Sequence, residues 1–565
     1  MDIQKRIYNI SEMLLVFMLG TILTTVGLLA IGVSVSCINF LVPIMLMVYF
    51  RHKFLGGKNY FLQDCIVSMA LLAFFILFSG SVYDHTWDGA AYHKTAVGLL
   101  KEGWNPFYLS AESYNSITHS IEPARNNPIL WAEAYPKATW YFASTVYYLT
   151  GNIECGKSYT LIFAFITFGT CMDYFTKKTG KKRAYILSLT AALNPIVLDQ
   201  FQTYYLDGVV ACILTMLVIK FLELMEGVEP EELLQKNISI FELIVWGCNL
   251  KFNIALYIAT ICAVYCICLS LKNKNIQIRS TLLLLLEGGF SVFVMGAAPY
   301  ITNLKRHGTL FYGLKGMLNG GGGQKSFGIP DLNNVERFWV SVFGRTSHGQ
   351  YASLQEVLKI PFTFKKEELI YYSIPDARIG AMGVLFSGLF LIAIIIFAAV
   401  LVKKIKNRAY TISFLYTTML CIINILEYCF VPWTSQLRYI PHLYLIVVLA
   451  MYYVVSFDRS AVLGKILCCV YGALILANLF PWSTLAVQRV NAGIKTTATL
   501  KYMGERCQTD DITYQVAFYC DDFTGMVYNL KDYGINFVYT DIADINQEEF
   551  NITFSDWLYY KDKNY

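Results

Sequence analysis

Long apolar runs recur along most of the chain, separated by polar segments. A run of about 20 residues is enough for an α-helix to cross the roughly 30 Å hydrocarbon core of a bilayer. The pattern predicts thirteen spans, at 12–34, 36–50, 62–80, 154–176, 184–200, 204–224, 238–252, 254–271, 281–303, 379–402, 409–431, 439–456 and 463–483. The segment 135–150 is also apolar but rich in Tyr and Trp, so we interpret it as a helix that lies in the interface or re-enters.

The basic residues agree with this alternation of spans. With the N-terminus in the cytoplasm, all the dense basic segments fall on the cytoplasmic side, as the positive-inside rule requires. They are "RHKFLGGK" (51–58), "KKTGKKR" (177–183), "KNKNIQIR" (272–279) and "KKIKNR" (403–408). A further crossing at 135–150 would move the last three outside. Thirteen crossings predict an extracytoplasmic C-terminus.

Three polar regions are then expected outside the membrane: a loop at 81–134, a loop at 304–378 and the tail. Both loops are too long to be simple connectors. In the tail, "QVAFYC", "FTGMVYNLKDYG" and "INFVYT" predict a strand, a helix and a strand. We therefore divide the chain into an N-terminal helical hairpin (1–60), a transmembrane domain (61–483) and an extracytoplasmic α/β tail (484–565).

Composition narrows the class of protein further. The 565-residue chain is 56% hydrophobic and 15% charged, against roughly 25% charged residues in soluble domains. Its net charge of +5 is spread over the predicted cytoplasmic loops, so we expect no nucleic-acid partner. Most of the 15 cysteines lie in apolar runs and act as small hydrophobes. Only Cys507 and Cys520 share a polar segment, where a disulfide and two free thiols both remain open.

Charged residues gather at helix ends on the predicted outer face. Asp84 and Asp88 follow the third span, and Asp88, Tyr92 and the adjacent His93 are spaced to suit one face of a short helix. The other residues of this kind are Asp207, Lys251, Arg306 and Arg438. Ionisable groups near lipid are costly and tend to mark function. Structural alternatives remain: a helix cap for Asp88, aromatic packing for His93, and snorkelling anchors for the basic residues.

Four segments resemble the GT-C superfamily of membrane glycosyltransferases, in particular the bacterial dolichyl-phosphate-mannose-mannosyltransferase-like branch. "TWDGAAYH" (86–93) is similar to the Asp-led motif of the family's first exterior loop. The later segments are "AYPKATWYFASTVYYLTGNIECGKS" (134–158), "PYITNLKRHGTLFYGL" (299–314) and "LRYIPHLYL" (437–445). The likeness covers about residues 60–450. It departs from the family in two extra spans before the first exterior loop and in "GTLFYGL", where the family tends toward "NPFYPL".

The resemblance implies an all-α polytopic membrane protein, a GT-C-like bundle of about 13 transmembrane helices with exterior loops and the small α/β tail. It also implies an enzyme that takes a sugar from a polyprenyl-phosphate carrier. An attacking hydroxyl needs a base, and the leaving phosphate needs fixed cations. We expect Asp88 to be the base, assisted by Asp84 and Asp207. The expected substrate-binding residues are Tyr92, His93, Lys251, Arg306 and Arg438. Family members differ in metal use, so a divalent cation, Mg²⁺ or Mn²⁺, held by Asp88 and Asp207 is one option and no metal is the other.

The sequence therefore predicts a multi-pass hexosyl or pentosyl transferase of the cell membrane. Its partners would be the bilayer, a polyprenyl-phosphate-sugar donor and an envelope glycan, lipid or protein acceptor. Two alternatives are a transporter or flippase of lipid-linked sugars and an O-antigen-type polymerase or ligase. A transporter favours mid-bilayer charges and internal repeats, and a polymerase would concentrate its exterior mass in one late loop. A non-catalytic scaffold would tolerate substitution of the acidic residues.

Overall fold

The computed structural model describes residues 3–122, 125–312, 332–349, 353–372, 374–408, 410–431, 436–457, 462–553 and 557–563. Within these ranges the protein is mainly helical. Its first α-helices are α1 (Ile3–Ala30), α2 (Ile38–Phe54), α3 (Phe61–Ser79), α4 (Lys94–Glu102), α5 (Ala111–Thr118), α6 (Asn126–Ala134), α7 (Ala138–Thr150), α8 (Tyr159–Thr179), α9 (Lys181–Ala192), α10 (Pro195–Gln200), α11 (Asp207–Glu226) and α12 (Pro230–Cys248). The later ones are α13 (Phe252–Asn273), α14 (Ile278–Phe290), α15 (Ala297–His307), α16 (Asn334–Phe343), α17 (Leu354–Val357), α18 (Lys366–Tyr372), α19 (Phe386–Lys406), α20 (Ile412–Phe430), α21 (Leu445–Phe457), α22 (Val462–Thr509) and α23 (Val527–Lys531).

Each of the thirteen predicted spans falls largely on helix. In the described part of the chain, eight helices are long and apolar enough to cross a membrane. They are Ile3–Ala30, Phe61–Ser79, Asp207–Glu226, Phe252–Asn273, Ile278–Met295, Phe386–Lys406, Ile412–Phe430 and Lys465–Thr509. The prediction of an all-α polytopic membrane protein is confirmed, while the number of thirteen crossings stays a prediction.

The helix α7 occupies the segment 135–150, which the sequence predicts to lie in the interface or to re-enter the membrane. Its 13 residues extend about 20 Å at 1.5 Å per residue, too short to cross roughly 30 Å of hydrocarbon. Ten consecutive residues, 138–147, are buried within the protein. This short buried helix matches a re-entrant segment better than a fourteenth span.

The centre of the bundle is α11. Its residues are mostly apolar, and 18 of the 20 are buried, as expected for a helix surrounded by other helices. It packs against α8, α12 and α13. Because α11 begins at Asp207, this buried scaffold fixes one of the candidate site residues at its end.

The tail carries a four-stranded sheet of β1 (Tyr514–Phe518), β2 (Phe537–Tyr539), β3 (Asn551–Ile552) and β4 (Leu558–Asp562). The strand order is β2-β1-β4-β3, with β1 and β2 parallel and the other two pairs antiparallel. The predicted strand–helix–strand unit is confirmed as β1, α23 and β2. The antiparallel strands β3 and β4 were not predicted. Cys507 and Cys520 are both free thiols.

The first of the two loops predicted to be exterior (81–134) and the tail lie at the same end of the bundle. The Tyr83 and Tyr533 hydroxyls are hydrogen-bonded at 2.7 Å, and Tyr83 and Ala90 contribute to the hydrophobic core of the tail. The tail is not joined through a flexible linker, because α22 runs without a break from the last predicted span to Thr509.

Candidate active site

Charged side chains from distant parts of the chain meet around Arg438. This arginine lies in the 3₁₀ turn Leu437–Tyr439, and 5% of its side chain is exposed. Its Nη2 is 2.8 Å from Asp376 Oδ1, and its Nη1 is 3.7 Å from Asp207 Oδ2 and 4.0 Å from Asp88 Oδ2. Three carboxylates thus surround one guanidinium.

A second cation, Lys251, stands next to Asp207. Lys251 precedes α13, and its Nζ forms an ion pair with Asp207 Oδ1. The other Asp207 oxygen, Oδ2, accepts a hydrogen bond of 3.2 Å from Gln200 Nε2. Asp207 is also in the first turn of α11, where the helix dipole stabilises a carboxylate. The two cations and Asp207 therefore form one connected group.

Two tyrosine rings hold the cations in place. The Arg438 guanidinium lies 4.9 Å from the centre of the Tyr205 ring and 4.8 Å from that of Tyr439. Lys251 Nζ is 5.0 Å from the Tyr439 ring centre. Aromatic faces attract cations at these distances, so the rings fix the cations without neutralising them.

Asp88 is held differently from a capping aspartate. It directly precedes the π-helix Gly89–His93, yet its side chain makes no capping hydrogen bond, so the interpretation of Asp88 as a helix cap is not supported. Burial raises the pKa of Asp88 to about 6, although the nearby Arg438 charge opposes this shift. Single-turn π-bulges are frequent at functional sites, and this one carries a carboxylate that titrates close to neutral pH.

Asp84 has its carboxylate fully engaged by backbone groups. Its Oδ2 accepts from the Tyr204 backbone N–H at 2.6 Å and its Oδ1 from the Thr86 N–H at 2.9 Å. These contacts fasten the start of the first loop to the connector that leads into α11. The geometry gives Asp84 a positioning role beside Asp88.

Tyr92 and His93 belong to an aromatic group behind Asp88. The Tyr92 ring packs edge-on against Trp131 and Tyr135 at 5.4 and 5.5 Å between ring centres. His93 Nδ1 accepts from Trp140 Nε1 at 2.7 Å, and burial lowers the pKa of His93 well below its usual value. His93 is therefore neutral and carries its proton on Nε2.

Arg306 binds the first loop. Its Nη1 donates to Glu133 Oε1 at 2.8 Å, and its Nη2 to the Pro106 carbonyl at 3.5 Å. The ion pair ties α15 to α6. The contacts of Arg306 thus agree with a structural anchor, the alternative that the sequence left open for it.

The sequence prediction did not include Asp376, Tyr205 or Tyr439. Asp376 lies in the loop 304–378 that the sequence predicts to be exterior, where no spacing to other charges distinguishes it. Tyr439 is in the family-like segment "LRYIPHLYL", so its position beside Arg438 was a usable signal. Tyr205 comes shortly before Asp207 in the sequence, so its position beside a candidate site residue was a usable signal as well.

The arrangement of Asp88 and Asp207 does not suit a divalent cation. The Arg438 guanidinium already lies within 4.0 Å of both carboxylates. Over the described residues, no group of three or more His, Cys, Asp or Glu side chains is placed to hold a metal ion. The positive charge at this site comes from Arg438 and Lys251.

The fold and the site define a multi-pass membrane protein with a charged centre at the ends of its helices. No protein-family model matches the chain, and no curated protein matches it. Among solved structures, the chain is similar to ArnT from Cupriavidus metallidurans bound to undecaprenyl phosphate, with 11% identity, 86% of this chain and 87% of that chain covered, and a TM-score of 0.46. It is also similar to apo ArnT from the same organism, with 12% identity, coverages of 84% and 85%, and a TM-score of 0.35.

Proposed function

We propose that this protein is a GT-C-type glycosyltransferase, nearest to the bacterial dolichyl-phosphate-mannose-mannosyltransferase-like branch. It moves one sugar from a polyprenyl-phosphate-linked donor to an envelope glycan, lipid or protein acceptor on the extracytoplasmic face. The observation that carries this proposal is the meeting of Asp88 with Lys251 and Arg438. A base and two phosphate-binding cations come from three distant segments to one place, as sugar transfer from a phosphate carrier requires.

Arg438 and Lys251 bind the donor phosphate in this mechanism. In the described part of the structure, the buried Nη1 of Arg438 makes no hydrogen bond, so its N–H groups are available to a phosphate oxygen. Arg suits this task because its planar fork matches phosphate geometry, while Lys acts as a point charge. As the bond between the anomeric carbon and the phosphate oxygen breaks, these fixed charges stabilise the leaving polyprenyl phosphate.

Asp88 takes the proton of the acceptor hydroxyl while that oxygen attacks the anomeric carbon. A pKa of about 6 leaves Asp88 ionised at neutral pH but basic enough to accept the proton. A single displacement of this kind inverts the anomeric configuration. Asp207, held by Lys251 and Gln200, positions the cations, and Asp84 positions the loop that carries Asp88.

The test compares Asp88→Asn with Asp544→Asn, the same exchange at an exposed tail residue. Both variants complement a deletion strain at matched membrane levels, and envelope glycans are analysed by mass spectrometry. We expect the deletion to lose one sugar, Asp544→Asn to restore it and Asp88→Asn not to, since a lost general base costs roughly 10²–10⁴-fold in rate.

A purified-protein assay separates transfer from transport. The protein is placed in nanodiscs with polyprenyl-phosphate sugars and the envelope glycan extracted from the deletion strain. A transferase releases free polyprenyl phosphate, whereas a flippase leaves the donor intact. Full activity of Asp88→Asn in both experiments would show that Asp88 is not the base.

A further inference from the structure

A cavity of about 320 Å³ opens beside the candidate active site. It lies where the start of the first loop, the connector into α11 and the outer part of α22 meet. Its polar lining residues are Asp84, His85, Thr86, Gln202, Thr203, Gln488 and Arg489, and Pro375 lies beside them. Its volume falls at the lower end of the roughly 300–1,000 Å³ range of small-molecule sites, enough for one or two sugar rings.

The cavity shares a wall with the charged centre. Pro375, in the cavity wall, directly precedes Asp376, which pairs with Arg438 at 2.8 Å. Gln200 Nε2 donates both to the Pro375 carbonyl at 3.4 Å and to Asp207 Oδ2 at 3.2 Å. A ligand in the cavity therefore lies one residue away from Asp376, the carboxylate that pairs with Arg438.

Gln202, one of the residues that line the cavity, carries a buried hydrogen-bond acceptor that lacks a donor. Gln202 is 2% exposed, and in the described part of the chain its Oε1 has no hydrogen-bond partner. Buried polar atoms in native proteins are nearly always satisfied, so an orphan in a cavity wall indicates a ligand group. A hydroxyl group of a ligand would supply the missing donor.

The remaining polar groups of the cavity favour an uncharged ligand. Thr86, Thr203 and Gln488 offer neutral hydrogen-bonding groups. The wall holds one acidic and one basic residue, Asp84 and Arg489. Both are engaged by backbone groups: Arg489 Nη1 donates to the Asp199 carbonyl at 3.1 Å, and Asp84 accepts two backbone N–H groups. A wall balanced in this way resembles a surface for hydroxyl groups more than one for phosphate or carboxylate.

We propose that this cavity is the acceptor subsite and that the acceptor presents an uncharged sugar ring there. The inference rests on the proposed function, which supplies the donor at Arg438 and Lys251. The outer part of α22 forms one wall through Gln488 to Gly493, and Gly493 is required there because a Cβ would come within 2.1 Å of the Ser81 carbonyl oxygen. The tail helix thus contributes directly to acceptor binding.

Two pairs of variants test the subsite in the full-length protein in nanodiscs. Ala492→Trp fills the cavity, and Ile494→Trp places the same side chain two residues away at an exposed position. Gln202→Leu removes the orphan acceptor, and Gln508→Leu makes that exchange at an exposed tail position. The substrates are a labelled polyprenyl-phosphate sugar and the envelope glycan extracted from the deletion strain.

We expect Gln202→Leu to raise KM for the glycan about tenfold, the cost of a lost hydrogen bond in a buried site, and Ala492→Trp to raise it at least as much by filling the cavity. KM for the donor should change less than twofold in both variants. Both control variants should match wild type. If Gln202→Leu does not fold, Ala492→Trp alone decides. A rise in donor KM with an unchanged glycan KM would overturn the acceptor assignment.

The chemical class of the ligand has its own test. Inorganic phosphate and glucuronate are added in excess while glycan and donor concentrations are varied. Failure of both to compete with the glycan supports the uncharged assignment, and competition by either overturns it. These outcomes are distinct from failure of the proposed function, because in that case the wild-type protein would transfer no sugar from any polyprenyl phosphate.

Discussion

Two aspartates four residues apart have opposite surroundings. Asp84 accepts backbone N–H groups with both oxygens, so its side chain is held in place by the backbone. Asp88 lies close to the carboxylates of Asp207 and Asp376, and burial raises its pKa to about 6. A buried carboxyl group whose surroundings raise its pKa commonly has an acid–base role. The same pair thus divides into one positioning group and one candidate base.

The raised pKa of Asp88 predicts the acid limb of the pH–rate profile. Asp88 acts as a base only when ionised, so kcat/KM should fall as pH decreases through about 6, tenfold per pH unit below it, and level off above it. An unperturbed aspartate would place this limb near 4. The measurement is kcat/KM for the donor from about pH 4.5 to 8.5 at constant ionic strength. A limb near 4 would contradict the assignment of Asp88.

Among individual residues, the sequence predicted site residues that belong to a recognisable pattern. It missed those that only the tertiary structure brings to the site. Asp88, Lys251 and Arg438 were predictable because each follows or precedes an apolar run on the same predicted face. Asp376 was not predictable, because its predicted loop, 304–378, is 75 residues long. Nothing in the local sequence indicates that Asp376 would meet Arg438. Whether an arginine binds substrate or anchors a loop also depends on its partner, and the ion pair with Glu133 favours an anchoring role for Arg306.

Among the structural elements, the π-helix Gly89–His93 and the tail are packed as one unit. Gly525 lies against this helix so closely that a Cβ there would come within 2.7 Å of the Ala90 carbonyl oxygen. Lys94, immediately after the π-helix, donates to Asn529 Oδ1 at 2.9 Å. Asn529 Nδ2 also donates to buried Glu154 at 2.9 Å. The tail thus supports the segment that carries Asp88.

Gly525→Val should move that segment and slow the chemical step. A misplacement of about 1 Å of a catalytic group costs on the order of 10²-fold in rate, so we expect a fall in kcat of that order with a smaller change in donor KM. The readouts are kcat, KM and the acid limb of the pH profile, which should shift because Asp88 sits in a changed environment.

Gly27→Val is the matched control for this substitution, since a Cβ at Gly27 meets nothing within 4 Å. It should behave as wild type. If Gly525→Val folds and keeps both kcat and the acid limb of the wild type, the tail does not position Asp88. The predicted boundary at 484 hid this coupling, because an apolar run ends there although α22 continues to Thr509.

For the whole molecule, α11 links the candidate active site to a second set of buried charges nearer its other end. Lys220 Nζ is 2.6 Å from Glu12 Oε1, and both side chains are fully buried. Lys236 Nζ is 2.7 Å from Glu223 Oε2. These pairs join α1, α11 and α12 at the end of the bundle away from the tail. Periodicity could predict the helices, but not which partner each buried charge would meet.

Removing one partner of the Glu12–Lys220 pair should destabilise the bundle. Lys220→Met leaves the Glu12 carboxylate buried without its ammonium partner, and breaking a buried pair in this way costs about 3–5 kcal/mol. The double variant Glu12→Gln/Lys220→Met should recover most of that loss, because the uncompensated charge is gone. Lys182→Met, at an exposed position, should leave stability unchanged. The measurement is the free energy of unfolding from denaturant titration in detergent micelles. Equal loss in the single and double variants would mean that packing around Lys220, and not charge pairing with Glu12, holds these three helices together.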